Sequence, residues 1–468
     1  MRKVGMMNRS LWLSLAVAGW IAGMGFVAGC SAPEGSGSGK SGDAAGGTAP
    51  DQAQSEKVNS GKSGNNAEKA DKPSKQATAK SEDVEAAKKR LEAIGPKARF
   101  KLPSAGLLTE IVIQDGSGIT AEDITLFGKL TDLEKLQIFN CRTLNDDVTN
   151  QLGGLQNLTS LALTNSVIND PTVEWIVKTF PNLTELDLSS NTNLSNSVLK
   201  VISELTKLQR LSLVQNRFND LGTRRIAKLE NLRSLDLRGN MEAADMTLEV
   251  VAGLPKLNAF KHRSTAVTDS GLEQLAKNAT LESLLIQDFA ITDQSGPHLA
   301  KIAKLTQLEV FRCPAFGTQG VLALKGMPLT RLTLRDLPNV NDQAMEVLTE
   351  LPALKKLYLH EIASLSDAGL KNLASLKSLE LLDLWSLPQV TDATIDVIAS
   401  LPNLKELSIR TTGVTDAAVE KLLAMQTLES LTFKENGAVS AEATQKLAGR
   451  KWKKLDVGAG GASDSDSQ

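Results

Sequence analysis

LTELDLS, residues Leu183–Ser189, alternates apolar and polar side chains, with Leu186 and Leu188 on one side of an extended chain and Glu185, Asp187 and Ser189 on the other. That is the period of a strand with one buried face. VTDATIDVIASL, residues Val390–Leu401, has a different period: Ile395, Ile398 and Leu401 share one side of a helix that Thr391 or Asp392 can cap. One unit is therefore strand, loop, helix and return. The string L-x-x-L-x-L opens such a unit at Leu108, Leu133, Leu158, Leu183, Leu208, Leu232, Leu257, Leu281, Leu308, Leu329, Leu354, Leu379, Leu404 and Leu428, and Trp452 opens a last one. The spacing is 24 or 25 residues except around Leu308, where units of 27 and 21 residues, with Pro297, Pro314 and Gly317, predict a local change of curvature. A fixed period in this range is the mark of a solenoid, in which each unit buries its apolar face only against its neighbours.

Cys141-Arg-Thr-Leu144-Asn-Asp, Val267-Thr-Asp-Ser-Gly-Leu272 and Leu365-Ser-Asp-Ala-Gly-Leu370 give the second half of the unit a further signature. On these residues the chain resembles the leucine-rich repeats, and within them the subtype reading C-x-x-[ILV]-T-D-x-G-L. The resemblance covers about three quarters of the chain. It implies an α/β fold: a right-handed solenoid or horseshoe of about 15 repeats, with a parallel sheet on the concave side and helices on the convex side. It implies little about function, which resides in the exposed side chains.

The N-terminus carries a second signal. Arg2, Lys3 and Arg9 precede an apolar run from Leu11 that closes on Val27-Ala28-Gly29-Cys30. This resembles a bacterial lipoprotein signal peptide with its lipobox, which implies removal of residues 1–29 and lipidation of Cys30. The alternative is an uncleaved membrane helix; the small residues before Cys30 favour processing. Residues 31–80 contain one Val and no Leu, Ile or aromatic residue, so residues 30–80 read as a disordered tether, about 40 Å long on average as a flexible coil. Val84, Ala87, Leu91 and Ile94 fall on one helical face ahead of Gly95-Pro96, making residues 81–107 an N-terminal helical cap. Residues 108–457 form the repeat domain and 458–468 a polar, disordered tail. The expectation is an exported protein, lipid-anchored in a bacterial cell envelope on its periplasmic or outer-membrane face.

Composition excludes some chemistry. A net charge of −2 and 4% aromatic residues leave no nucleic-acid footprint. Besides Cys30 there are Cys141, at the loop position of its unit, and Cys313, at a strand core position; seven repeats would hold them about 34 Å apart, beyond disulfide reach. Of the three histidines, His262 takes a core position, His298 a convex helix, and His360 the concave face. No metal-ligand spacing, G-x-S-x-G, Walker or dinucleotide motif is present, so neither a cofactor nor an enzymatic activity is expected.

Equivalent positions in successive strands stack about 4.8 Å apart, so binding information runs down columns. The column after the second core position reads Gln114, Phe139, Thr164, Ser189, Val214, Arg238, Arg263, Gln287, Pro314, Arg335, His360, Trp385, Arg410 and Lys434. Its second half is basic with an exposed Trp. Lys261, Arg312, Arg331, Lys356, Tyr358 and Lys454 face the same side, relieved by Asp383, Glu406 and Asp456. Arg335, Tyr358, His360, Trp385 and Arg410 thus form the centre of a candidate site for an acidic or polar partner, with Arg312, Arg331 and Lys356 around it. Solubility alone also asks for polar residues on an open sheet face. The leading expectation is a non-enzymatic, membrane-tethered lipoprotein that binds a protein through its concave face. The alternatives are a receptor for an envelope glycan or small polar ligand, with Trp385 and Tyr358 as stacking platforms, and a structural component of the envelope.

Overall fold

The computed structural model describes residues 79–104 and 106–458. The expected signal peptide, Cys30 and most of the tether lie outside the described residues, as does the tail after Gly458. Among the described residues no helix is long and apolar enough to cross a membrane.

A single sheet runs the length of the described chain, its strands in sequence order. They are β1 (Ala98–Lys101), β2 (Glu110–Ile113), β3 (Lys135–Ile138), β4 (Ser160–Leu163), β5 (Glu185–Asp187), β6 (Arg210–Ser212), β7 (Ser234–Asp236) and β8 (Ala259–Arg263). Then come β9 (Ser283–Gln287), β10 (Gln307–Phe311), β11 (Arg331–Arg335), β12 (Lys356–His360), β13 (Leu381–Leu387), β14 (Glu406–Thr412), β15 (Ser430–Lys434) and β16 (Lys454–Asp456). Strand β1 pairs antiparallel with β2, and every later pair is parallel. The returning half of each unit is a short α- or 3-10 helix packed behind the sheet. The leucines of the repeat fill the space between, as at Leu382, Leu384 and Leu379, all fully buried. At the first repeat, α1 (Ser81–Ile94) buries Val84, Ala87 and Leu91, and Arg90 makes a two-pronged ion pair with Asp123, from Nε at 2.8 Å and Nη2 at 2.9 Å.

Strand pairing corrects the reading of the ninth unit. Leu284, Leu308 and Leu332 are direct partners across β9, β10 and β11, a step of 24 residues each time. The unit therefore opens at Leu305 and not at Leu308, and the 27- and 21-residue units do not exist. Phe311, paired with Gln287 and Arg335, takes the column position assigned from the sequence to Pro314. Cys313 likewise moves out of the strand, to the loop position that Cys141 holds in its own unit; both are buried free thiols.

Two polar ladders stitch the units together. In most units the residue after the outward column position adopts a left-handed backbone, with φ of 57° at Asn140, 62° at Ser190, 51° at Arg312 and 55° at Glu361. Its N–H still continues the parallel ladder, as where Glu361 donates to Trp385 O at 2.9 Å, while the bend turns the next residue inward. In the middle units that inward residue is a fully buried asparagine, Asn191, Asn216 or Asn240. Asn191 Nδ2 donates to Leu163 O and Leu188 O at 2.7 and 2.9 Å, and its Oδ1 accepts from Ser166 N at 2.9 Å. Carbonyls that a turning chain would leave orphaned in the core are so satisfied.

The second ladder explains the T-D-x-G motif. Thr391 caps its own helix, Asp392–Ala399, by accepting from Ala393 N. Asp392, the other capping candidate, instead serves the next unit: its carboxylate accepts from Thr415 N at 2.9 Å and Thr415 Oγ1 at 2.5 Å. The same step links Asp245 to Thr268, Asp342 to Ser366 and Asp367 to Thr391. The glycine follows from this contact: a Cβ on Gly369 would stand 2.5 Å from Asp342 Oδ1. Where the position holds a hydroxyl, as at Thr394, the side chain donates to that carboxylate instead.

Candidate functional site

Parallel pairing places the candidate residues on one sheet face. Phe311, Arg335, His360, Trp385 and Arg410 are successive partners across β10 to β14, with Tyr358 two residues before His360. Strand alternation drives Leu357, Leu359, Leu382 and Leu384 inward and leaves this row outward.

The row is a stack. The Arg335 guanidinium lies 4.4 Å from the Phe311 ring centroid and 5.0 Å from that of Trp385. Arg410, from the strand on the other side, lies 5.1 Å from Trp385. The His360 ring meets Trp385 edge to face at 5.6 Å and Tyr358 at 6.0 Å, and Arg331 covers the Tyr358 ring at 4.8 Å. Arg312 lies 4.9 Å from Phe311. Each such contact contributes on the order of 0.5–1 kcal/mol when exposed and more when desolvated. Trp385 is consequently half-buried among its neighbours and not freely exposed.

The cations are also paired. Arg335 Nε donates to Glu361 Oε2 at 2.7 Å. Arg410 reaches both carboxylate oxygens of Asp383 at 3.3 Å, and His360 Nε2 lies 3.2 Å from Asp383 Oδ2, off the line of a hydrogen bond. Burial pushes the Asp383 carboxyl up, but the contacts with His360 and Arg410 outweigh it and hold it below the usual carboxylate range. Asp288 receives both Arg263 and Arg312, which keep it lowered against burial in the same way. Burial raises the Tyr358 phenol.

This overturns the basic character read from the sequence. Over β9 to β15, with the residue after each strand's outward column, the face carries six cations: Arg312, Arg331, Arg335, Lys356, Arg410 and Lys434. It also carries seven acids: Asp288, Glu309, Asp336, Glu361, Asp383, Glu406 and Glu435. The balance is close to neutral. The sequence reading missed Asp288, Asp336, Glu361 and Glu435 because a strand period sends them inward; the left-handed turn at each, with φ between 51° and 62°, brings them back to the face.

The other candidates separate from this row. His262 is fully buried between Leu237 O and Ala243 O, with ring nitrogens 3.1 and 2.8 Å away, and burial lowers its pKa. Cys313, with its thiol pushed up to about 12 by burial, lies beneath the face. Among the described residues no group of three or more His, Cys, Asp or Glu could hold a metal ion. A concavity of about 600 Å³ lies on the helical side, lined by Glu174, Lys178, Lys200, Glu204, Leu221 and Arg225 among others, and touches none of the row.

Comparison with solved structures settles the architecture. Rad7, in its complex with Elc1 from yeast, superposes with a TM-score of 0.51 at 21% identity, over 64% of this chain and 82% of that one. The fold is a leucine-rich repeat solenoid. An internalin from Listeria monocytogenes (20% identity, 71% of this chain and 98% of that chain, TM-score 0.44) is also similar. So is the mouse RP105/MD-1 complex (17% identity, 71% of this chain and 61% of that chain, TM-score 0.47). At these identities the likeness shows the fold alone. No family model matches the sequence, and no curated protein does.

Proposed function

We propose that the protein is a non-enzymatic, lipid-anchored interaction module of a bacterial cell envelope, which binds a protein partner through the sheet face of β10 to β14. The anchor is Cys30, carried on the tether of residues 30–80, which would hold the solenoid away from the membrane. The observation that carries the reading is the prepaired stack of Arg335, Trp385 and Arg410 with His360, Tyr358 and Phe311. Arginine and large aromatics are the side chains that most often anchor interfaces, and here their rotamers are already fixed, which lowers the entropy lost on binding. A solubilising face would have no need to bury half of its only Trp on the sheet among guanidinium groups. Rad7 is itself seen in a protein complex, with Elc1. The engagement of Trp385 by two guanidinium groups argues against its serving as an open platform for a sugar ring.

Pull-down from envelope extracts tests the reading, with Trp385→Ala and Arg335→Glu beside the wild type. Both variants should lose the proteins that the wild type retains. Unchanged profiles would remove the claim of this face. Metabolic labelling with a fatty-acid analogue should mark the wild type and not Cys30→Ser; equal labelling would refute the anchor.

A further inference from the structure

The ion pairs of the face leave a remainder, and the remainder has an order. Arg335, Arg410, Arg312 and Lys434 each have a carboxylate at hand. Arg331 and Lys356 have none, although they are direct neighbours across β11 and β12, and Arg331 is held in place over the Tyr358 ring. The side chain next to them, Thr333, is 5% exposed, and its hydroxyl has no hydrogen-bond partner. Two like charges side by side with no carboxylate at ion-pair distance, next to a buried hydroxyl, form a place where an incoming carboxylate is stabilised, and Glu309, opposite Thr333 across β10 and β11, bounds that place on the β10 side.

The same row limits what can bring that carboxylate. Arg331, Lys356, Leu381 and Glu406 are consecutive partners across β11 to β14. Glu406 is exposed and, like Arg331 and Lys356, forms no ion pair among the described residues. The row therefore reads positive, positive, apolar, negative. A long acidic run would meet repulsion at Glu406; a segment with an acid, an apolar residue and a base meets complement at each step.

Spacing sets the register of such a segment. With strands about 4.8 Å apart, the midpoint between Arg331 and Lys356 lies about 12 Å from Glu406. An extended chain rises about 3.3 Å per residue and points alternate side chains the same way, so an acid and a base four residues apart, with an apolar residue midway, span that distance on one side. We infer that the partner presents an extended segment of the form acid-x-apolar-x-base, laid across β11 to β14. This rests on the sheet face being the binding face, and it narrows the acidic or polar partner expected from the sequence.

The test is selection of a phage-displayed library of random nonapeptides on the full chain in detergent, in parallel with E406K and with Trp385→Ala. The wild type should enrich acid-x-apolar-x-base, and E406K should change the last position from base to acid. A synthetic Asp-Ser-Leu-Ser-Lys peptide, multivalently displayed, should lose about tenfold or more of its retention on Arg331→Gln/Lys356→Gln, the scale of a charge-assisted hydrogen bond. Enrichment of a wholly acidic or patternless consensus, or one that E406K leaves unchanged, overturns the inference. If that consensus still depends on Trp385, the binding face stands and only the partner's chemistry falls. Peptides retained equally on wild type and Trp385→Ala would sink both.

Discussion

Asn191→Ala removes a side chain that serves two units at once. Its Nδ2 donates to Leu163 O in one unit and Leu188 O in the next, and its Oδ1 accepts from Ser166 N and Ser166 Oγ. After truncation Leu188 O keeps Asn216 Nδ2 at 2.8 Å, and the Ser166 hydroxyl can rotate to water or another acceptor. Leu163 O and Ser166 N lose the only side-chain partners they have in the ladder. An orphaned buried backbone group costs about 1–3 kcal/mol; Leu163 O bears that cost in full and the half-buried Ser166 N less, so the two together cost about 2–4 kcal/mol, a large share of the stability of a typical domain. Urea unfolding followed by circular dichroism reads the total, and native-state hydrogen exchange reads the site. The Ser166 amide should change from protected to freely exchanging while amides several repeats away keep their protection. A loss under about 1 kcal/mol, or a Ser166 amide that stays protected, would refute the account of the ladder.

Other outcomes follow from single contacts. His262 is buried and its pKa lowered, so the unfolded chain binds the proton more readily. Its stability contribution is intact above the unfolded value of about 6.5 and falls below it, by at most about 1.4 kcal/mol between pH 7.5 and 5.5. His262→Gln should flatten that part of the urea-midpoint profile, and an unchanged slope would show that the ring protonates freely inside the fold. Gly369→Ala sets a methyl group 2.5 Å from Asp342 Oδ1 and should cost about 1–3 kcal/mol, with the cost shrinking when Asp342→Ala is added; simple additivity of the two would count against the steric reading. A double-mutant cycle between Arg335→Gln and Trp385→Leu should return a coupling of about 0.5–2 kcal/mol in unfolding free energy, and zero coupling would mean that the stack is only proximity.

Much of the fold was legible because leucine spacing reports burial directly. Leu186 and Leu188, or Leu382 and Leu384, alternate with polar residues as a half-buried strand must, and the structure buries each of them. The ninth unit misled for a local reason. LTQLEV, from Leu305 to Val310, has two leucines three apart, either of which can open the repeat, and backbone pairing alone chooses between them. That slip put Pro314 where Phe311 belongs and hid the ring beneath Arg335. The candidate residues do share one face, but the charge of that face was misjudged, since a two-residue period cannot describe the left-handed turn that carries Asp288, Asp336 and Glu361 outward. The asparagine and aspartate ladders were visible only as letters. Their partners lie one unit away in sequence, a distance at which hydrogen bonds leave no local pattern.

The aspartate ladder bears on how a chain of this kind changes length. Asp342 is satisfied by Ser366, Asp367 by Thr391, and Asp392 by Thr415, so no unit closes its own contact and each borrows from the following one. Within this run of units, excising one whole period between equivalent points brings a new hydroxyl to the waiting carboxylate and leaves the ladder contact intact. Losing half a period leaves a half-buried acid without its donors at the junction. Duplication or deletion in whole periods along this run therefore preserves the ladder, whereas a change of any other length breaks it.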